Sequence, residues 1–217
     1  MIKKIIKKNK EEAAKTVVYI LKRFIKKLLK RQQKVIIAIP GGTSVKIIFK
    51  LLKQEKLPWK QLHFFMVDER LVPITHKDSN FKLAKPYLSK ANLHPFNHKK
   101  PIKDYKKELH DLGGNFDIVL LSAGEDGHIA SLYPHHPTIR DGNEFFILTD
   151  SSPKPPKNRM SASKNLITRT KISILLFLGE SKRDALNNFN NNKLNIKDCP
   201  AKIIKQIRNS YLITDLK

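Results

Sequence analysis

Three features of this sequence predict an α/β fold built on a mainly parallel sheet. Short apolar runs recur along the chain: Lys34–Ile39 (KVIIAI), Leu62–Val67 (LHFFMV), Ile118–Leu121 and Ile172–Leu178 (ISILLFL). Segments with helical periodicity separate them. A polar or Gly-rich turn follows each run: Pro40–Ser44, Asp68–Arg70, Gly124–Gly127 and Gly179–Lys182. Strands alternating with helices, each strand apolar enough to be buried on both faces, are the pattern of a parallel sheet covered on both sides.

In chain order, Glu11–Arg31 is the clearest helix. Ala14, Val17, Val18, Leu21, Phe24, Ile25 and Leu28 recur at i, i+3, i+4 and i+7, and Lys and Arg fill much of the rest. Asn9 is placed to cap it, and Glu11 and Glu12 suit the positive end of its dipole. After the KVIIAI strand, Val45–Leu52 reads as a helix. After LHFFMV, Asp68-Glu69-Arg70 reads as a charged segment at a strand's carboxyl end, in a solvated loop or near a site. Asp78-Ser79-Asn80 caps a helix over Phe81–Leu88. His94–Pro101 reads as a loop, and Tyr105–Leu112 as a helix closed by Gly113 and Gly114. Phe145–Thr149 is a short strand, Ser151–Arg159 (SSPKPPKNR) a proline-rich loop, and Leu166–Thr170 a helix end. A helix through Phe189 follows Gly179–Lys182, and Asn187–Asn195 is an Asn-rich linker. Pro200 opens a last helix to about Arg208, and Tyr211–Thr214 closes as a strand.

The stretch Phe116–Pro134, FDIVLLSAGEDGHIASLYP, concentrates the chemistry. Its apolar strand runs into a turn holding Asp126 and His128, and open α/β sheets bind ligands at the carboxyl ends of their strands. A histidine there can change charge near neutral pH, and a carboxylate two residues away can orient its ring. The Gly41–Ser44 loop is a second candidate. Its glycines admit close backbone approach, its hydroxyls donate, and a helix N-terminus adds N–H groups and a favourable dipole for an anion. The spacing matches neither a P-loop nor a dinucleotide fingerprint. There is no nucleophile elbow, and no Cys/His cluster has metal-ligand spacing.

Composition bounds the classes of function. The 217 residues suit one ordinary domain over 1–217, and 40% apolar with 29% charged residues is a globular balance. A single cysteine, Cys199, provides no internal disulfide and fits a reducing cytoplasm. No apolar run approaches the roughly 18 residues of a membrane span, and MIKKIIKKNK lacks the apolar core of a secretory signal. The 43 Lys+Arg against 19 Asp+Glu give a net charge of +24. The lysines are spread along the chain and travel with Ile, Asn and Phe, residues whose codons are AT-rich. Such a field attracts a phosphorylated substrate whatever its origin.

Four segments in order, IPGGTSV, VDERLVP to DSN, FDIVLLSAGEDGHIASLYP, and Ser152–Lys182 with SPKPPKNRMSAS and FLGESK, resemble the 6-phosphogluconolactonase family. That family lies within the group that includes glucosamine-6-phosphate isomerase/deaminase. The resemblance covers roughly residues 9–215. It implies a single-domain three-layer αβα fold of modified Rossmann type. It also implies cytoplasmic hydrolysis of 6-phospho-D-glucono-1,5-lactone with neither cofactor nor metal. No dedicated nucleic-acid or membrane partner is implied, and a monomer is the expected state. His128 falls on the family's general base, with Asp126 orienting its imidazole or a nearby water. Gly41, Gly42, Thr43, Ser44, Asp68, Arg70, Gly127, Arg159 and Lys182 fall on substrate-binding positions, the Gly41–Ser44 loop carrying the phosphate. The oxyanion of the attack needs pre-aimed donors, for which backbone N–H groups of the Gly-rich turns are the candidates.

This sequence departs from the family pattern at Pro40, where Ser is frequent, at Val45, where Pro is frequent, and at Ser122-Ala123, where a Gly-Met pair is usual. Two other readings compete. The isomerase/deaminase relatives carry a glutamate just before the proline of the His motif, where this chain has Tyr133. Amino-sugar ring opening and proton transfer lean on that carboxylate, so its absence favours the lactonase. A nucleic-acid or anionic-surface binder would account for the +24 charge. It would gather basic and aromatic residues on one face under a recognisable motif, and neither is visible.

Overall fold

A computed structural model describes residues 2–217. The chain forms β1 (Ile2–Ile6), α1 (Lys10–Leu28), β2 (Val35–Ile39), α2 (Thr43–Lys53), β3 (Leu62–Met66), β4 (Asp68–Arg70), α3 (Asn80–Leu88), β5 (Asn92–His94), α4 (Ile102–Asp111) and β6 (Ile118–Ser122). It continues with α5 (Pro137–Arg140), β7 (Phe146–Thr149), β8 (Arg159–Ala162), α6 (Lys164–Thr168), β9 (Ile172–Phe177), α7 (Arg183–Asn190) and β10 (Asn209–Thr214). Seven strands form one parallel sheet in the order β1-β10-β9-β6-β2-β3-β5. Helices cover both of its faces, giving the three-layer αβα arrangement. β4, β8 and β7 form a small antiparallel sheet, with Asp68 opposite Ser161 and Arg70 opposite Arg159.

The apolar runs occupy the centre. Every residue of β2 and β9 is buried, as the two-faced burial of interior parallel strands requires. α1 buries the stripe expected of it, from Ala14 to Ile25, and Phe24 meets Tyr211 of β10 edge-on at 5.7 Å. Each fully buried Phe or Ile contributes roughly 1.5–3 kcal/mol relative to exposure, so this stripe fixes the helix on the sheet. The Asn9 carboxamide oxygen accepts the Glu12 N–H at 2.9 Å, the capping geometry read from sequence.

β6 and β2 are neighbours, yet the chain leaves them in opposite directions, from β2 to β3 and from β6 to β9. Their carboxyl ends therefore flank a topological switch point, the place where an open α/β sheet leaves a crevice. The turns after β2 and β6 are the two read above as candidate sites.

Several expectations need correction. Asp68-Glu69-Arg70 is a strand, with Asp68 and Glu69 buried, rather than a solvated loop. Ser79 is the N-cap of α3, its hydroxyl accepting the Lys82 N–H at 3.1 Å, and Asn80 is the first helical residue. His94 ends β5 instead of opening a loop. The segment opened by Pro200 is a 3-10 helix to Gln206. β1, β8 and α5 carry no periodic signal that would announce them.

Candidate active site

His128 is held by its own turn. Asp126 Oδ1 lies 2.5 Å from the ring Nδ1 and accepts the His128 backbone N–H at 3.1 Å. A carboxylate on Nδ1 selects the tautomer protonated there, which leaves the Nε2 lone pair as the ring's free acceptor. Tyr133 lies against the ring, tilted by 48° with the centroids 4.8 Å apart. Tyr133 is itself buried, with Ser152 Oγ 2.9 Å from its hydroxyl. The imidazole is thus fixed by one ionic partner and one aromatic wall.

Asp126 is suited to that task because it stays ionised. Burial pushes its carboxyl pKa up. The hydrogen bond and charge of the His128 ring, the His128 backbone N–H and the Lys154 ammonium outweigh burial and bring it down to about 2. A carboxyl depressed in the folded protein stabilises the fold above its ordinary value near 4, and the contribution fades as pH falls toward 2. The melting temperature of Asp126→Asn should therefore lie below that of the unmutated protein at pH 5 and converge on it as pH falls from 4 to 2. A gap constant with pH would mean that the carboxylate's charge is not what holds the turn.

A pocket of about 210 Å³ opens in front of His128. It is lined by the Gly41–Ser44 loop after β2, by Asp68, Arg70 and Asn80, by Ser122–Gly124 and Ala130 around the histidine turn, and by Lys154, Arg159 and Lys182. All the residues singled out by sequence converge here except two. Asp126 stands behind the His128 ring. Gly127 lies at the back of the turn with φ +82°, facing Cys199. Larger grooves lie elsewhere, one of about 860 Å³ between α2 and α3. They lack this convergence of a fixed histidine with cations, which marks a site better than volume does.

The Gly41–Ser44 loop provides the anion-binding geometry. Gly42, at φ +93°, is the N-cap of the 11-residue α2 and offers no side-chain acceptor, so the first-turn N–H groups face outward unpaired within the helix. In the turn after β6 both glycine N–H groups are already paired. The Gly124 N–H donates to the His128 carbonyl at 2.8 Å and the Gly127 N–H to the Gly124 carbonyl at 3.1 Å.

Arg70 is braced beside that loop. Its Nη1 donates to the Asp78 carbonyl at 2.7 Å and to Asn80 Oδ1 at 2.5 Å. The Asn80 amide donates to the Asp68 carbonyl at 2.8 Å. Glu69, 2% exposed, accepts the backbone N–H groups of Arg70, Asn80 and Phe81 at 2.8 Å each. Burial raises its pKa while those N–H bonds oppose the rise, and the Asp68 charge adds to it. Lys182 reaches the pocket from the turn after β9, with Nζ 3.9 Å from Glu125. Burial pushes its ammonium pKa down, Glu125 and Asp126 pull it up, and Lys154 and Lys10 add to the lowering.

Asn80 and Lys154 are among the pocket residues that sequence reasoning missed as site residues. Asn80 reads as part of a helix cap and Lys154 as one more lysine of a basic chain. No group of three or more His, Cys, Asp or Glu among the described residues has a metal-binding arrangement, and no described helix is long and apolar enough to cross a membrane.

Known proteins resemble this chain over nearly all its length. The family model described as glucosamine-6-phosphate isomerases/6-phosphogluconolactonase matches residues 8–213. A Borreliella burgdorferi protein named 6-phosphogluconolactonase is 32% identical over 196 residues, covering 83% of each chain. A Synechocystis protein of the same name is 30% identical over 209 residues, covering 88% of this chain and 85% of the relative. In fold, the crystal structure of 6-phosphogluconolactonase from Thermotoga maritima matches with a TM-score of 0.84 at 24% identity, covering 99% of this chain and 100% of that one. The enzyme of that name from Trypanosoma brucei matches at 0.86, also at 24% identity, covering 98% and 95%.

Proposed function

Because the chain belongs to the glucosamine-6-phosphate isomerase/6-phosphogluconolactonase family, we infer that it hydrolyses 6-phospho-D-glucono-1,5-lactone to 6-phosphogluconate in the oxidative pentose phosphate pathway. The observation that carries this reading is the fixed Asp126–His128 pair facing a cationic pocket, with Tyr133 against the ring. The isomerase/deaminase chemistry asks for a carboxylate at that position, and here the place is filled by a buried phenol.

The geometry supports a simple sequence of steps. Nε2 of His128 takes a proton from a water as its oxygen bonds to the lactone carbonyl carbon. The carbonyl electrons move onto oxygen, giving a tetrahedral oxyanion. Collapse reforms the carbonyl and breaks the bond from that carbon to the ring oxygen, which receives the proton held by the imidazolium. Asp126 keeps its negative charge throughout and stabilises the imidazolium while it exists. The net reaction is ester plus water giving acid plus alcohol, and it requires no redox partner. The substrate phosphate, a dianion near neutral pH, is held by the N–H groups of Gly41–Ser44 with Arg70 and Lys182. In this reading one domain over 1–217 carries the activity as a cytoplasmic monomer.

The direct test is lactone hydrolysis by the purified protein with spontaneous hydrolysis subtracted; a rate equal to the blank removes the reading. Arg70→Ala and Lys182→Ala should each raise KM about tenfold, the worth of one charge-assisted contact. If neither moves KM, the phosphate is held elsewhere.

A further inference from the structure

Arg159 lines the pocket, yet two of its three donor nitrogens are bonded to the chain itself. Nε donates to the Pro156 carbonyl at 3.0 Å, and Nη2 to the Lys154 and Pro155 carbonyls at 3.2 Å each. Nη1 faces Asp68 Oδ2 at 3.9 Å, and both side chains are more than nine-tenths buried. Nε and Nη2 are thus committed to consecutive carbonyls of one loop, and the charge is met by a buried carboxylate beside Nη1.

We propose that Arg159 is a positioning residue that acts through Lys154, and that Lys154 is an anion-binding cation of the substrate pocket. The loop that Arg159 grips is the one that carries Lys154 into the pocket lining. Lys154 is anchored twice more: its N–H donates to Ser152 Oγ at 3.3 Å, and its carbonyl oxygen lies 2.9 Å from the same hydroxyl. Ser152 in turn contacts Tyr133, the wall of the His128 ring. Holding this backbone from two sides makes sense for a side chain whose head must arrive at one place. A lysine ammonium is a point charge on a flexible stem, so its aim depends on where the backbone starts. Its charge also reaches the site, since it is felt by both Asp126 and Lys182. Arg70 and Lys182 line the same pocket, and Lys154 adds a third cation for a dianionic ligand.

This inference rests on the lactonase reading and is tested by a double-mutant cycle on lactone hydrolysis. Lys154→Ala and Arg159→Gln should each raise KM about tenfold with a smaller change in kcat, and the double variant should be no worse than the worse single. Factors that multiply to about a hundredfold would mean that Arg159 contacts substrate itself, and the proposal would fall. An unchanged KM in Lys154→Ala would also overturn it. Arg159→Lys guards against loss of folding. It keeps the charge but cannot reach three carbonyls, so its KM should rise as in Arg159→Gln, whereas a wild-type KM would argue for a direct charge contact. An unmutated protein without lactonase activity strikes the functional reading instead. The same cycle is then read by calorimetric binding of 6-phosphogluconate, with the same non-additivity expected and additivity again fatal.

Discussion

His128→Ala should lower kcat for lactone hydrolysis by about 10²–10⁴-fold, the usual worth of a positioned general base, while leaving KM within a few-fold. The split follows from where the ring sits. Its Nδ1 side is occupied by Asp126 and its face by Tyr133, so what it offers the pocket is one acceptor for a proton. The candidate phosphate holders, Arg70, Lys182 and the Gly41–Ser44 loop, line other parts of the pocket and do not depend on the imidazole. Blank-subtracted kinetics at neutral pH decide it, because the lactone also opens unaided. A full-rate His128→Ala enzyme would keep the substrate assignment and remove the base. A variant with normal kcat and a tenfold higher KM would make His128 a binding residue and require a different proton acceptor.

The parts of this architecture that were legible in the sequence are those where burial dictates residue type. β2, β3, β6 and β9 are interior strands with apolar side chains on both faces, so continuous apolar runs announce them. β1 is an edge strand paired only with β10, so Lys3 and Lys4 can be exposed within it and its sequence does not look like a strand. β5 and β8 are three and four residues long, too short for any period to show. Asp68-Glu69-Arg70 stayed open between a solvated loop and a site for a different reason. Charges after a strand usually meet water, but here Glu69 is buried because three backbone N–H groups and the Ser79 hydroxyl converge on it. Apart from the Arg70 N–H, this network joins residues ten to twelve apart and has no local signature.

The candidate site divides in the same way. His128, Asp126 and the Gly41–Ser44 loop stand on turns directly after strong strands, where position in the fold follows from sequence. Lys154 does not. It is one of 43 basic residues and lies exposed in a proline-rich loop, and only the folded chain shows that it borders the pocket. Arg159 was legible as a residue near the pocket, but the direction of its donors was not, since that depends on which carbonyls the loop presents. The +24 charge is informative at a coarser level: it raises the local concentration of a phosphorylated substrate and says little about which cations touch it.

Gly124→Ala should cost activity without costing the fold, the second large effect expected. A Cβ at Gly124 would overlap Nδ1 and Cε1 of the His128 ring and come within 2.7 Å of Asp126 Oδ1. The backbone hydrogen bonds of Gly124, its N–H to the His128 carbonyl and its carbonyl from the Gly127 N–H, do not involve the side chain and survive the change. No left-handed φ is imposed there, so alanine can adopt the backbone and the strain must be relieved by the ring. The ring can swing away about its side-chain torsions, which breaks the Asp126 contact and moves Nε2. A displacement of about 1 Å at a reacting group can cost on the order of 10²-fold, and kcat should fall by that factor, with the melting temperature falling no further than in Asp126→Asn, which loses the same contact. Gly127→Ala supplies the contrast. Gly127 has φ +82°, where alanine is strained, and its Cβ would meet Cys199 Sγ at 2.8 Å on the side away from the pocket. That variant should lose melting temperature first and activity only as it unfolds. If the two glycines exchanged phenotypes, with Gly124→Ala unstable and Gly127→Ala folded but inactive, the His128 ring would not be the element that Gly124 makes room for.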